Sequence, residues 1–251
     1  MCQLLGISSN HEVNMDFSFR EWRHRGADNP HGYGFASWHG GRLDILKSTA
    51  SLHEQADGVG EQISTIRSHI FIGHVRLASV GSKDGKNTHP FRAKSGGREF
   101  VFAHNGTVSS VKSWPLKSMI PEGQTDSEHA FLWLLEQMAG VAAAQWPRAL
   151  KKHADKVREH GRFNFLLSDG QTLYAYADNA LHYIERKPPY GGELVQLKDD
   201  GYSISLQEVK GGDERAVLVA TEPLSDEKGW RRLPAGTMLV IRDGAVAAKV
   251  G

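Results

Sequence analysis

Cysteine is almost absent: Cys2 is the only one among 251 residues. No internal disulfide can form, and a zinc site built on two or four cysteines is excluded. The 13 histidines contain no His-Glu-x-x-His pattern, which excludes that type of metalloprotease. No metal and no other cofactor is expected. Charge of one sign is also lacking. Thirty basic residues face 29 acidic ones, for a net charge of +1. Such a balance has no basic excess to hold a nucleic acid. No stretch approaches the ~18 consecutive apolar residues of a membrane span. No apolar stretch precedes Cys2, as a secretory leader would require. The expectation is a soluble, cytoplasmic protein. No repeat, low-complexity tract or linker interrupts the chain. Its length suits one large domain with a sizeable core, expected over 1–251.

What is present begins at that cysteine, directly behind Met1. Removing the initiator would give Cys2 a free α-amine beside its thiol. The amine titrates near ~8 and the thiol near ~8.5. One residue would then carry both nucleophile and base, a known solution to acyl transfer. The competing reading is a small buried hydrophobe.

Strand periods dominate the rest. Residues 2–9, 32–38, 42–47, 68–80, 99–104 and 107–111 are expected as strands. So are 162–168, 171–177, 181–186, 202–209, 215–221 and 237–242. A hairpin is expected around His39-Gly40-Gly41. Helical spacing of apolar residues marks 126–139 and 141–159. Many strands with a central helical pair indicate an α+β layered domain. The polar stretch 187–201 is expected as a surface excursion.

Four places could carry chemistry. Alternation along 68–80 puts Ile70, Ile72, His74, Arg76 and Ala78 on one apolar face. A guanidinium there needs an anion, either a fold carboxylate or a substrate carboxylate gripped by two parallel hydrogen bonds. Asn105-Gly106 between apolar runs is a strong tight-turn signal, which by itself accounts for the pair; the alternative is a pair of donors for an oxyanion. Thr125 and Glu128 have capping-box spacing. Asp126 between them suits the helix dipole or a substrate ammonium. His74 and His104 are expected as hydrogen-bonded scaffold. His89, in Asn87-Thr88-His89-Pro90, is open between scaffold and site.

Together these pieces resemble, in order, the class II glutamine amidotransferase domain of the N-terminal-nucleophile hydrolases. They are Met1-Cys2, Gly73-His74-Val75-Arg76-Leu77-Ala78-Ser79, Asn87-Thr88-His89-Pro90, His104-Asn105-Gly106 and Thr125-Asp126-Ser127-Glu128. The start Met-Cys-Gln-Leu-Leu-Gly and the segment Ala220-Thr221-Glu222-Pro223-Leu224 are most similar to compact, stand-alone bacterial members. The resemblance implies a four-layer αββα sandwich. It implies Cys2 as nucleophile, Asn105 and Gly106 as the oxyanion hole, and Arg76 and Ser79 at a substrate α-carboxylate. Asp126 falls where the α-ammonium is held, and His89 near the entrance of the site. One departure is His31-Gly32-Tyr33-Gly34, where better-known members carry Arg-Gly-Tyr or Arg-Gly-Gln. The implied substrate is glutamine, with another γ-glutamyl amide or a non-catalytic amino-acid-binding subunit as alternatives. Biosynthetic members fuse an ammonia-consuming domain, for which this chain has no room. Two outcomes are expected: the protein hydrolyses a γ-glutamyl amide alone, which suits the compact chain better, or a separate ammonia-accepting synthase subunit is its partner.

Overall fold

The computed structural model describes residues 2–77 and 82–251. Its strands are β1 (Gln3–Val13), β2 (Tyr33–His39), β3 (Arg42–Ser48), β4 (Ser68–Val75), β5 (Phe91–Ser95), β6 (Arg98–Thr107), β7 (Arg162–Ser168), β8 (Leu173–Ala177), β9 (His182–Arg186), β10 (Leu194–Gln196), β11 (Ser203–Ser205), β12 (Ala216–Ala220), β13 (Arg231–Arg232), β14 (Thr237–Arg242) and β15 (Ala245–Val250). Its helices are α1 (Asp16–Trp22), α2 (Leu52–Ser64), α3 (Asp126–Met138), α4 (Trp146–Arg158) and α5 (Leu206–Val209). Seven strands form one sheet in the order β13-β9-β12-β1-β4-β2-β3, and six form another, β15-β14-β8-β7-β6-β5. All their pairings are antiparallel.

The core explains the layering. Ile70 and Ile72 of β4 and Val217 and Val219 of β12 meet Val101, Ala103, Leu166 and Ala175 of the other sheet in one cluster. Their neighbours Phe71 and Leu218 point the other way, into a cluster with Phe19, Trp22, Leu52, Val59 and Ile63 of α1 and α2. Phe100, Phe102, Phe163 and Phe165 similarly pack on Phe131, Leu135, Trp146 and Leu150 of α3 and α4. Each central strand is thus buried on both faces, which is why its apolar run is nearly continuous. The result is the αββα sandwich. No helix among the described residues is long and apolar enough to cross a membrane.

Most expected strands are present, and the β2–β3 hairpin turns through Gly40 and Gly41 at φ 55° and 80°. Three expectations need correction. Asn105-Gly106 is no hairpin turn. Both residues lie inside β6 and pair with Asn164 and Phe163 of β7. The expected strand at 107–111 is mostly a 3₁₀ turn, Ser109–Ser113. Residues 202–209 split into β11 and α5. Helices α1 and α2 had no clear sequence signal. In α2 only Leu52, Val59 and Ile63 are buried, too sparse an apolar stripe to stand out beside its two glycines.

Candidate active site

Cys2 immediately precedes β1, in the middle of the seven-stranded sheet. Its neighbour β4 runs antiparallel, so Gln3 pairs with Val75. That register delivers the Leu77 amide to Cys2 Sγ at 3.2 Å. The thiol in turn donates to the Leu77 carbonyl at 3.3 Å. Burial pushes the Cys2 thiol pKa up, opposed by the Leu77 amide and the positive charge of Arg76.

Arg76 is 3% exposed, one residue beyond β4. Its amide donates to the Gly32 carbonyl at 2.8 Å, and its carbonyl accepts from the His31 amide at 3.0 Å. The segment that departs from better-known members thus holds both the amide and the carbonyl of Arg76. The guanidinium donates from Nη1 to the Ser82 carbonyl at 3.2 Å.

The second sheet supplies Asn105. Its Nδ2 donates to the Cys2 carbonyl at 2.6 Å and lies 3.5 Å from Thr221 Oγ1. Thr221 Oγ1 also accepts from the Leu4 amide at 2.9 Å. Asn164 Nδ2 holds the Asn105 carbonyl at 3.1 Å. Gly106 has φ 155°, and a Cβ there would lie 1.8 Å from the Arg162 carbonyl oxygen. Only glycine permits this approach of β6 to β7.

Asp126 opens α3 and is 3% exposed. Its Oδ2 accepts from the Val108 amide at 2.6 Å and its Oδ1 from the Ser127 amide at 3.0 Å. It is therefore tied to the chain two residues beyond Gly106. Thr125 caps α3 by accepting from the Glu128 amide at 3.1 Å. The Glu128 carboxylate turns instead to the Glu122 and Gly123 amides, so the capping box is only half made. Ser79 lies outside the described residues.

Three histidines stack behind this array. His74 lies 4.2 Å from His89 between ring centroids, and His89 lies 4.4 Å from Phe91. His74 Nε2 donates to the His104 carbonyl at 3.1 Å. His104 Nε2 donates to the Arg162 carbonyl at 3.1 Å, leaving Nδ1 to accept from the Ser127 hydroxyl at 2.8 Å. The tautomers follow because carbonyl oxygens only accept. His104 so links the Asn105-Gly106 strand to the start of α3, as a scaffold residue would. His89 is 5% exposed and buried rather than at an entrance.

Burial keeps all three rings neutral. It pulls His74 down to about 3, with the nearby Arg76 charge adding to the effect. It lowers His89 well below the ordinary value and lowers His104 as well. The unfolded chain binds these protons near pH ~6.5 and the folded chain does not. Stability is therefore fully present above about pH 6.5 and lost as pH falls toward the folded values. Each ring still neutral in the fold removes about 1.4 kcal/mol per pH unit within that window. Thermal melts between pH 7 and 4 should show a steadily falling Tm. Replacing His89 by Phe, which keeps an aromatic ring without a proton site, should flatten the slope. An unchanged slope would contradict the burial argument.

Class II glutamine amidotransferases are the family whose model matches, over residues 1–250. The chain belongs to that family. YafJ of Escherichia coli, named provisionally as a glutamine amidotransferase, is 32% identical over 94% of this chain and 95% of its own. An uncharacterized protein of Methanocaldococcus jannaschii is 37% identical over 97% of this chain and 70% of its own. Among solved structures, a predicted glutamine amidotransferase from Pseudomonas aeruginosa superposes with a TM-score of 0.74 at 28% identity, covering 98% of this chain and 100% of that one. The Bacillus subtilis glutamine phosphoribosylpyrophosphate amidotransferase shares the fold, with a TM-score of 0.66 at 20% identity over 96% of this chain and 47% of that one. As a class II amidotransferase, the chain combines residues picked out by sequence with others that were passed over. Leu77 serves through its backbone, which sequence cannot flag. Thr221 lay in a segment already noticed for its resemblance. Asn164 gave a visible signal, a lone amide inside the apolar run Phe163-Asn164-Phe165.

Proposed function

We propose that this protein releases ammonia from glutamine through a γ-glutamyl thioester on Cys2. The observation that carries the reading is the convergence of Cys2, the Arg76–Leu77 segment and Asn105, from both sheets, on one strand end. With Met1 removed, the Cys2 α-amine takes the thiol proton and the thiolate attacks the amide carbon. The carbonyl oxygen becomes an anion, held by the Asn105 Nδ2 hydrogen not given to the Cys2 carbonyl and by the Gly106 amide. The α-ammonium returns the proton to the leaving nitrogen, and ammonia departs. Water then attacks the thioester, restoring the thiol and releasing glutamate.

Arg76 would grip the substrate α-carboxylate, with Ser79 beside it. Asp126 would accept from the α-ammonium, since each of its oxygens keeps a second lone pair beyond its backbone bond. His89 would act from behind, close enough to Arg76 to feel its charge. Holding both charged ends of the amino acid places the amide at the sulfur. The ammonia either passes to a separate synthase subunit or is released by a hydrolase that acts alone.

The deciding experiment is steady-state ammonia release from glutamine by protein lacking Met1, beside amine release from a panel of γ-glutamyl amides. Turnover of glutamine supports the reading. Turnover of another amide alone would make the protein a γ-glutamyl amide hydrolase. Labelling of Cys2 by a glutamine-like diazoketone without turnover would point to dependence on the partner.

Arg76→Lys should raise the apparent KM for glutamine about tenfold or more, because an ammonium cannot reproduce the bidentate grip. Initial-rate kinetics check this. An unchanged KM would remove Arg76 from the substrate.

A further inference from the structure

Both sheets end on the same flank of the sandwich, in β3 and β5. Among the described residues each of these strands is paired on one side only, β3 with β2 and β5 with β6. Between them runs a cleft of about 640 Å³. Leu43, Ile45, Phe91, Met119 and Leu132 line its floor. Ile120 stands beside it, 85% exposed.

The rim is cationic: Lys47, Lys86, Arg92 and Lys94. Lys47 donates to the Thr88 carbonyl at 3.2 Å. Among the described residues, Lys86, Arg92 and Lys94 have no carboxylate partner. Asp44, Glu122 and Glu128 also line the cleft. Two of the three are engaged: Asp44 pairs with Arg42 at 2.9 Å, and Glu128 accepts two backbone amides. The unpaired charge left on the β5 side is positive. Lysines on an edge strand commonly guard against edge-to-edge aggregation. A guard needs neither an apolar floor nor an exposed isoleucine beside it.

We propose that this cleft docks an extended, acidic segment of a partner protein, which adds a strand at the free edge. Strand addition draws affinity from main-chain hydrogen bonds and specificity from alternate side chains. Here one set of side chains would enter the apolar floor and the alternate carboxylates would meet Arg92 and Lys94.

The cleft wall is wired to the candidate active site. The Glu136 carboxylate holds the amides of Lys117, Ser118 and Met119. Farther along the same loop, the Gln124 amide donates to Asn87 Oδ1 at 2.8 Å. Asn87 Nδ2 donates to the Ser82 carbonyl at 3.3 Å, the same oxygen that accepts from Arg76 Nη1. An occupant that shifts this loop acts on Arg76. This second half of the proposal rests on the role given to Arg76 above.

The probe is a short synthetic peptide in which glutamate alternates with leucine, titrated against the full chain by fluorescence anisotropy. Saturable binding is expected, weakened at least ~10-fold by Arg92→Glu with Lys94→Glu and several-fold by Ile120→Ser. Melting curves confirm that the variants fold, and Arg92→Ala with Lys94→Ala serves if charge reversal does not. Absence of binding, equal binding to the charge-reversed protein, or equal binding of a lysine–leucine peptide would each overturn the proposal. Preference for a single-stranded oligonucleotide would overturn it in favour of nucleic acid. Glutamine turnover is followed in parallel. Saturating peptide should change it at least ~2-fold in the wild-type chain and not in the double variant, and an unmoved rate overturns the coupling. A protein that binds the peptide but never turns over glutamine would keep the docking and fail the catalytic reading.

Discussion

Cys2→Ala is expected to reduce glutamine hydrolysis by at least ~10⁴-fold, because loss of a nucleophile leaves only binding and oxyanion stabilisation. The structure sharpens what accompanies that loss. Burial raises the thiol pKa, and the Leu77 amide and Arg76 offset it only in part. The sulfur therefore depends on a base to become a thiolate at neutral pH. If that base is its own α-amine, a chain that keeps Met1 should fail almost as completely as Cys2→Ala, with the thiol intact. The check is ammonia release beside intact-mass measurement. Full activity from protein that carries Met1 quantitatively would end the mechanism, whatever the Cys2→Ala result.

Asn105→Ala should lower kcat about 100–1000-fold and leave KM nearly unchanged, because its donor is aimed at charge that appears only in the transition state. Asn105 also holds the Cys2 carbonyl at 2.6 Å, so part of the loss could come from a displaced nucleophile. Thr221→Val separates the two causes. It removes the hydroxyl that fixes the Leu4 amide and borders Asn105 Nδ2, and so loosens the same strand end without removing the donor. A kcat loss near that of Asn105→Ala would assign the effect to positioning. A change in Asn105→Ala confined to KM would reduce Asn105 to a scaffold residue.

The layered fold was legible because strands buried on both faces need near-continuous apolar runs, as in 68–75 and 216–220. Helix α3 is legible through dense apolar spacing and α4 through a sparser stripe on a polar background. Helix α2 did not, because it covers its sheet with few large side chains. The candidate site is legible only as an ordered set. Asn105-Gly106 shows why: local turn chemistry favours a hairpin, and the β6–β7 ladder overrides it by pairing both residues across the sheet. No local pattern distinguishes a glycine that turns the chain from one that lets two backbones touch. Asp126 was visible as a helix-start carboxylate, but its bond to Val108 depends on a contact 18 residues away. The roles of Leu77 and Gly32 are carried by backbone atoms, to which side-chain identity is blind.

The placement of β1 sets a time window for the Met1 removal that the proposed mechanism requires. Strand β1 is central in its sheet, yet its partner β12 follows far behind in the chain, as the Leu4–Thr221 bond across 217 residues shows. At about 5–20 residues per second, synthesis of that interval takes roughly 10–40 s. During that time the leading end cannot be sealed between both neighbours. An aminopeptidase that frees the Cys2 amine, as the proposed mechanism requires, has its best access in that interval, before β12 docks beside β1. Slowing the peptidase relative to translation should yield folded but permanently unprocessed molecules, and an affinity handle on this protein belongs at the other terminus.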